Sequence, residues 1–228
     1  MNRIILTVCG ILLGTFAAWM ASASDVAKHM VAEEITGVVV DAETGKPIPN
    51  AVAAIRFERG NTGHSSPHCF RSMAVQADAQ GHFKFPPWTQ DNTRADATFG
   101  QVTAYKAGYA KPTRLADMIE IHQATRSILG ISFGDTIKIP RQEARVKLKP
   151  YVGTDEERIE QLAWLVRFFA CRWQAVFDNM ILLTSIRDEI ASSPVAKQKH
   201  KDWDYTPIEW INSIIKDTMR QGKQDGRP

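Results

Sequence analysis

The sequence predicts a mainly β protein with a helical appendage: an antiparallel β-sandwich, followed by a C-terminal segment of two or three helices packed on it. Between residues 34 and 150, short strand-like segments alternate with turns rich in Gly, Pro, Asp and Asn. Helical periodicity is missing between these segments, which argues against a parallel α/β sheet. After Pro150 the apolar spacing changes to three and four residues, which is typical of amphipathic helices.

The first 23 residues are predicted to be a cleaved signal peptide. Arg3 supplies a positive charge, residues 4–20 form an uncharged and mostly apolar run, and Ala21-Ser22-Ala23 matches the A-x-A cleavage pattern. We therefore expect export from a bacterial cell, with cleavage after Ala23, to the periplasm or beyond. An uncleaved membrane anchor is the alternative, because the apolar run is close to the shortest that spans a bilayer.

The charge pattern argues against two classes of partner. The chain has a formal net charge of +3, and its basic residues are interleaved with acidic ones. So small a net charge does not indicate nucleic acid or an anionic membrane surface as a partner. We also expect no stable membrane insertion after the signal peptide is cleaved.

Six strands are predicted from residue 34 to residue 150, after a lead-in of residues 24–33. They cover residues 35–40, 51–58, 73–77, 82–85, 101–106 and 144–148. In the second strand Ala53, Ile55 and Phe57 share one face, and a polar loop of residues 59–69 follows it. The pattern of residues 113–140 is ambiguous, and residues 115–129 fit either a short helix or a long crossing loop.

Residues 151–228 are predicted to form the helical segment. Thr154 with Glu157 and Thr206 with Glu209 have the spacing of capping boxes at helix starts. Apolar residues recur at helical spacing from residue 159 to residue 180, a second stretch runs to residue 190, and a last helix follows Thr206. Because an isolated amphipathic helix gains little from propensity alone, we expect these helices to dock on the sandwich.

A disulfide bond is predicted between Cys69 and Cys171. These are the two cysteines that remain once the signal peptide is removed. An even pair in an oxidising compartment is more often a bridge than two thiols. Two buried thiols in separate places are the alternative.

Six short segments carry a resemblance to a known family. They are Gly37-Val38-Val39-Val40-Asp41, Thr44-Gly45-Lys46-Pro47-Ile48, Asn50-Ala51-Val52, Asp78-Ala79-Gln80-Gly81-His82-Phe83, Tyr105-Lys106-Ala107-Gly108-Tyr109 and Val146-Lys147-Leu148-Lys149-Pro150. In this order they resemble the carboxypeptidase regulatory-like domain family, whose fold is a transthyretin-like, Ig-like β-sandwich. The matches are turn and core positions over residues 36–150, so the resemblance implies a scaffold without specifying a chemistry.

The resemblance does not extend to peptidase activity. In zinc carboxypeptidases this module accompanies a large catalytic domain, whereas only about 78 residues follow Pro150 here. None of the six histidines begins an H-x-x-E zinc pattern. We therefore expect no catalytic residue and no cofactor.

Two weaker patterns suggest a small hydrolase as an alternative. Ser132 lies in a G-x-S-x-G pattern with His200 downstream, but the segment after it is strand-like, whereas the serine of such a motif stands between a strand and a helix. His64, His68 and Cys69 have the composition of a metal site without an evident fourth ligand. We assign no metal, with His64 and His68 as weak candidates.

Other side chains have both a functional and a structural interpretation. Trp88 follows two prolines and is either an exposed platform for a sugar or peptide or a core residue at one end of the sandwich. Asp41 and Asp78 suggest calcium, but aspartate in such turns usually accepts hydrogen bonds from its own backbone. The buried face of a helix, rather than a ligand site, is the simpler interpretation of Trp164, Phe168, Phe169 and Trp173.

The function predicted from these patterns is that of an exported, non-catalytic module. It would recognise a protein, peptide or glycan of the cell envelope through loops or a sheet edge. The alternatives are a small exported hydrolase that uses Ser132 or a His64/His68 site, and an inhibitor or immunity-type partner of an exported enzyme.

Overall fold

The fold combines β-sheets with three C-terminal helices. The computed structural model describes residues 29–60, 68–91, 97–111, 119–125, 127–128, 131–132, 136–169, 179–198 and 204–224. The strands are β1 (His29–Ala32), β2 (Ile35–Asp41), β3 (Val52–Gly60), β4 (His68–Gln76), β5 (His82–Phe85), β6 (Trp88–Asp91), β7 (Ala97–Tyr105), β8 (Ile119–Thr125), β9 (Ser127–Ile128), β10 (Ile131–Ser132), β11 (Thr136–Ile139) and β12 (Gln142–Leu148). The helices are α1 (Asp155–Phe169), α2 (Met180–Ser192) and α3 (Pro207–Gln224).

Two three-stranded sheets continue one another. Their strand orders are β12-β2-β5 and β11-β1-β6, so each strand of one sheet leads into its counterpart in the other. Ala32 pairs with Ile139, and three residues later Ile35 pairs with Gln142, so the register is unchanged across the break. We call the combined surface the long sheet.

Prolines explain why the long sheet is interrupted. Pro86 and Pro87 separate β5 from β6, and Pro140 precedes β12. Proline has no backbone N–H, so it cannot donate to a sheet ladder and is tolerated where the ladder breaks. The three strands are therefore interrupted at the same level while their alignment is kept.

The predicted lead-in needs correction, and two strand pairs of the predicted antiparallel sandwich are parallel. Within residues 24–33, His29–Ala32 is the central strand β1, and Met30 and Ala32 are buried in the core. Four residues are too few to show a clear period, and the partners of β1 lie far along the chain. In addition, β1 with β11 and β2 with β12 are parallel pairs, which sequence alternation does not distinguish from antiparallel ones.

A second sheet, which we call the central sheet, has the order β4-β3-β7-β8 and is antiparallel throughout. The predicted face of β3 is confirmed: Ala53, Ile55 and Phe57 are buried against the long sheet. Val52 and Ala54 point the other way and are buried against the helices. The central sheet is therefore covered on both sides, as the middle layer of three.

The ambiguous stretch contains a strand. Residues 119–125 form β8, which pairs with β7, so neither the short helix nor the crossing loop predicted for residues 115–129 is found there. Residues 112–118 and 126 lie outside the described part of the chain, as do residues 61–67 of the predicted polar loop. The apolar-polar alternation in this strand covers only the four residues from Ile119 to His122, and the strand pairs with β7 along most of its length.

Both predicted capping boxes are confirmed. The Thr154 N–H donates to Glu157 Oε2 at 3.0 Å, and the Glu157 N–H donates to Thr154 Oγ1 at 3.2 Å. At α3, the Thr206 N–H donates to Glu209 Oε2 at 2.9 Å, and the Glu209 N–H donates to Thr206 Oγ1 at 3.4 Å. Each box provides partners for amides that have none inside the helix.

The predicted docking of the helices on the sandwich is confirmed. One apolar cluster joins Val52, Ala54 and Tyr105 of the central sheet to the buried faces of the helices. The helical members of the cluster are Ile159, Leu162, Leu165, Val166, Phe169, Leu182, Leu183, Ile186, Ile190, Ile211 and Ile215. No helix among the described residues has the length and apolar character that crossing a bilayer requires.

A buried ion pair also connects the helices to the central sheet. The Arg158 Nε–H donates to Glu189 Oε1 at 2.8 Å, and Arg158 Nη2 donates to Glu189 Oε2 at 3.0 Å. The Tyr105 hydroxyl of β7 donates to the same carboxylate at 2.6 Å. Burial, followed by the hydrogen bond to Glu189, raises the pKa of Tyr105 far above its usual range, so this phenol stays a donor. The network connects α1, α2 and β7.

The Glu58 carboxyl makes the free energy of unfolding depend on pH. Burial raises the pKa of Glu58, and the charge of its ion-pair partner Arg56 only partly opposes this effect. A carboxyl with a raised pKa binds more protons in the folded than in the unfolded chain, so it destabilises the fold increasingly as pH rises above the ordinary value of 4.5.

We therefore expect Glu58→Gln to flatten the dependence of the free energy of unfolding on pH above about 4.5. Urea unfolding at several pH values measures this dependence. Glu143→Gln, an exposed substitution, is the control. An unchanged slope in Glu58→Gln would contradict the raised pKa.

Candidate functional site

The outer face of the long sheet is an exposed surface of the sandwich. The helices cover one side of the central sheet and the long sheet covers the other. Outward side chains of β5 and β12 are exposed: His82, Lys84, Glu143, Arg145 and Lys147. A ligand that binds to a sheet face therefore has access here.

The register arranges these side chains in rows across three strands. Thr36 of β2 lies between Lys84 of β5 and Glu143 of β12. In the next row, Val38 lies between His82 and Arg145. Side chains opposite one another on neighbouring strands are about 4.5–5.5 Å apart at Cβ, so each row brings distant parts of the sequence together.

A depression of about 480 Å³ crosses this face, and we call it the β5 depression. Gly37 and Phe83 contribute to its lining, and its polar lining residues are Thr36, Gln76, Asp78, His82, Lys84 and Glu143. The volume lies within the range of about 300–1,000 Å³ that is usual for small-molecule sites. The lining combines both signs of charge with a hydroxyl and an amide, which suits a polar ligand such as a peptide or glycan.

Asp78 determines the shape of one side of the β5 depression. Its Oδ1 accepts hydrogen bonds from the Gln80 N–H at 2.9 Å and the His82 N–H at 2.8 Å. Its Oδ2 lies 3.8 Å from His82 Nδ1. The carboxylate therefore holds the turn that places His82, in agreement with the turn interpretation of this aspartate.

Asp41 has the same role at the other predicted turn. Its Oδ1 accepts from the backbone N–H groups of Glu43 at 2.9 Å and Thr44 at 2.8 Å. Its Oδ2 accepts from the Tyr109 hydroxyl at 3.2 Å. The hydrogen bond from the Thr44 N–H is the main reason that the pKa of Asp41 is lowered. The oxygens that suggested calcium are thus engaged within the chain.

Lys84 is oriented by an ion pair with Glu34, the residue that precedes β2. The hydrogen bond from Lys84 lowers the pKa of the Glu34 carboxyl, which therefore stays ionised at neutral pH. Because the pair is exposed to solvent, its effect on stability is small. Its consequence for the site is that the ammonium group lies at the border of the β5 depression.

Gly37 is required by the packing of β2. A Cβ atom at this position would lie 2.2 Å from the Ala144 carbonyl oxygen and 2.4 Å from the Phe83 ring. The carbonyl belongs to a paired strand and cannot move without breaking the ladder. The absence of a side chain allows the Phe83 ring to lie against the strand.

We therefore expect Gly37→Ala to destabilise the protein by about 1–3 kcal/mol, the usual cost of inserting a methyl group into filled space. Thermal and urea unfolding measure the change. Gly45→Ala is the contrasting substitution: its Cβ would meet nothing within 4 Å, so its cost comes from the positive φ alone. A Gly37→Ala protein of unchanged stability would contradict the packing described.

Ser132 is not in the structural context of a nucleophilic serine. It lies on β10 and pairs with Ser127 of β9, and the next described element is strand β11 rather than a helix. A G-x-S-x-G serine acts from a strained turn between a strand and a helix. His200, its proposed partner, lies outside the described residues.

Of the two weak metal candidates, His68 lies within the described residues. His68 lies on β4 opposite Arg59, whereas His64 falls outside the described residues. In the described part of the chain, no three His, Cys, Asp or Glu side chains are grouped closely enough to hold a metal ion.

Trp88 was a candidate ligand contact, and the structure corrects this expectation. The side chain is only 7% exposed and belongs to the core between the sheets. Its ring makes edge contacts with Phe57, at 5.1 Å between centroids, and Phe70, at 6.2 Å. The Arg71 guanidinium lies over the ring at 4.7 Å. The indole therefore has no face available to a sugar.

The aromatic residues of α1 are structural, as predicted. Phe169 is buried, and Trp164 stacks on Phe168 with centroids 4.9 Å apart. Cations close both ends of the stack: Lys111 Nζ lies 4.6 Å from the Trp164 ring, and Arg56 Cζ lies 4.3 Å from the Phe168 ring. Trp173 lies outside the described residues.

Sequence reasoning did not identify the β5 depression. The alternation in residues 82–85 shows that His82 and Lys84 share a face, but Thr36 and Glu143 come from distant segments. The alternation of charged and apolar residues in β12 was the one signal in the sequence, and it indicates that Glu143, Arg145 and Lys147 share an exposed face. Only the pairing register shows which residues of β2 and β5 lie beside these three.

No family model and no curated protein matches the sequence. Among solved structures, a streptococcal ancillary pilin matches with a TM-score of 0.29 and 12% identity over 56% of this chain and 31% of that one. The 3-chlorocatechol 1,2-dioxygenase of Rhodococcus opacus 1CP has a TM-score of 0.27 and 11% identity, over 56% and 62% of the two chains. An alternative pilotin of the Vibrio cholerae type II secretion system has a TM-score of 0.28 and 12% identity, over 54% and 99%.

The chain thus spans less than two thirds of the length of the pilin and the dioxygenase that it matches. At these TM-scores the similarity supports no inference about activity or partners.

Proposed function

We propose that this protein is an exported, non-catalytic recognition module of the bacterial cell envelope. In this proposal a peptide, protein segment or glycan binds on the outer face of the long sheet, in the β5 depression. The supporting observation is that the helices cover the central sheet, whereas the depression lies on an exposed face with polar groups of both charges.

Two further features belong to the proposal. Export follows from the predicted leader with cleavage after Ala23, and the predicted Cys69–Cys171 bridge suits an oxidising compartment. The carboxypeptidase regulatory-like scaffold is part of the same proposal, since the family's turn and core segments specify a fold without a catalytic site.

Nuclear magnetic resonance titration of the ¹⁵N-labelled protein, starting at Ser24, tests the binding site. The probes are a chitin oligosaccharide, a peptidoglycan stem pentapeptide and a flexible uncharged peptide. We expect one of the first two to shift the amide resonances of residues 36, 82–84 and 143 in a saturable way. Saturable shifts confined to another surface, or no saturable shift with any probe, would contradict the proposed site.

Two substitutions relate the shifts to the depression. Lys84→Ala and Glu143→Ala each remove one charged lining residue, and we expect each to weaken binding about tenfold, since a hydrogen bond to a charged group contributes about 1.5–3 kcal/mol. Lys147→Ala is the matched control, because Lys147 is exposed on the same face of β12 but does not line the depression. Equal loss in the control would indicate a general charge effect.

A further inference from the structure

A row of polar side chains lies on the helix-facing side of the central sheet. Ser72 of β4 and Gln101 of β7 are the direct cross-strand neighbours of Arg56 on β3. Ser72 is fully buried, and the other two are largely buried. The row interrupts an otherwise apolar contact between the sheet and the helices, so its polar atoms need partners.

The last described residues of α1 supply some of these partners. Arg56 Nη1 donates to the Phe168 carbonyl oxygen at 2.7 Å, and Ser72 Oγ donates to the Phe169 carbonyl oxygen at 2.7 Å. Asn179 Nδ2 also donates to the Phe169 carbonyl, at 3.0 Å, and to Ser72 Oγ. These two carbonyls belong to the last described residues of α1, and they accept hydrogen bonds from one cation and two neutral donors.

Three buried atoms of the same cluster have no hydrogen-bond partner within the described structure. They are one donor, Arg56 Nε, and two acceptors, Gln101 Oε1 and Asn179 Oδ1. Asn179 is only 3% exposed, and its side chain turns toward Ser72 instead of capping α2. An unpaired buried polar atom costs about 1–3 kcal/mol, and buried polar groups of this kind are commonly satisfied by ordered water.

We propose that an ordered water molecule binds in this cluster and is part of the folded protein. A water molecule accepts a hydrogen bond through its oxygen and donates two through its hydrogens. It would accept from the Arg56 Nε–H and donate to Gln101 Oε1 and Asn179 Oδ1, so one molecule pairs all three atoms.

The position of the three residues supports a shared ligand. Arg56 and Gln101 stand directly opposite on antiparallel strands, where Cα atoms are about 4.5–5.5 Å apart. Asn179 reaches the row through Ser72, the neighbour of Arg56 on its other strand. Burial lowers the pKa of the Arg56 guanidinium because it removes the cation from bulk water. For the same reason the unpaired Nε–H of Arg56 is stabilised by a polar partner. The water would complete the contact that holds the end of α1 on the sheet.

A crystal structure of the full mature protein at about 1.5 Å resolution tests this directly. The expected result is a well-ordered water molecule within hydrogen-bond distance, about 2.7–3.2 Å, of Arg56 Nε, Gln101 Oε1 and Asn179 Oδ1. A direct hydrogen bond from Arg56 Nε to Gln101 Oε1, with no water between them, would overturn the proposal.

A solution measurement provides an independent check. Cross peaks between the Arg56 Hε and water are expected to have opposite signs in NOESY and ROESY spectra, which marks a resident water molecule rather than proton exchange. The Arg187 Hε, on an exposed side chain of α2, is the control and should show exchange behaviour alone. No dipolar cross peak at Arg56 would also overturn the proposal.

Discussion

Replacing Glu189 by alanine is expected to lower the free energy of unfolding by about 3–5 kcal/mol, the usual cost of removing one partner of a buried ion pair. The substitution leaves the Arg158 guanidinium, whose side chain is only 7% exposed, without its carboxylate. It also removes one of the two acceptors of the Tyr105 hydroxyl, the other being the Ser185 carbonyl oxygen at 3.0 Å. Urea unfolding of the wild-type and variant proteins measures the loss.

Two further variants separate the charge from the packing. Glu189→Gln keeps an oxygen acceptor for Tyr105 or Arg158, so we expect a smaller loss than in the alanine variant. The double variant R158M/E189M removes both charges, and it is expected to be more stable than Glu189→Ala, since no buried charge is left unpaired. The contrary result would be a free energy of unfolding for Glu189→Ala within about 1 kcal/mol of the wild-type value. A loss that small is typical of exposed ion pairs and would show that this network is not buried.

Reducing the predicted Cys69–Cys171 disulfide is expected to cost about 4–5 kcal/mol, the chain-entropy value for a closed loop of roughly 100 residues. Cys69 lies on β4, and Cys171 lies outside the described residues. The described residues on either side of Cys171 support the prediction, because Phe169 and Asn179 both contact Ser72. Both flanks of the segment that contains Cys171 thus meet the strand that contains Cys69.

Thiol titration of the denatured mature protein tests the bridge. We expect no reactive thiol before reduction and two after it, and a lower urea midpoint for the reduced protein. The variant C69S/C171S should match the reduced protein in stability, which separates loss of the bridge from side effects of the reductant. Two reactive thiols in the unreduced protein would contradict the prediction.

Local signals in the sequence predicted much of the fold. The capping boxes at Thr154 and Thr206 depend on residues three apart, and both are formed. The alternation of Ala53, Ile55 and Phe57 depends on a period of two, and these side chains share the core face. Such features are visible because their physical cause lies within a few residues.

Features that depend on distant partners were missed. The strand β1 exists because β6 and β11 stand on either side of it, and nothing within His29–Ala32 indicates that arrangement. The strand β8 likewise depends on pairing with β7. The β5 depression has the same origin, since its lining comes from β2, β5 and β12 and from the end of β4. Trp88 was named as a possible ligand contact although a core position was the favoured interpretation, and its side chain lies in the core.

The central claim is that helices and sandwich form one cooperative unit, and a truncation tests it most directly. We compare residues 24–150 carrying Cys69→Ser with residues 24–228 carrying C69S/C171S, so that neither chain has an unpaired thiol. Thermal unfolding by circular dichroism and size-exclusion chromatography with light scattering are the measurements. The account predicts that the shorter chain self-associates and loses its cooperative transition, because Val52, Ala54 and Tyr105 lose their apolar cover. A monomeric fragment that melts as cooperatively as the longer chain, and at the same temperature, would contradict it.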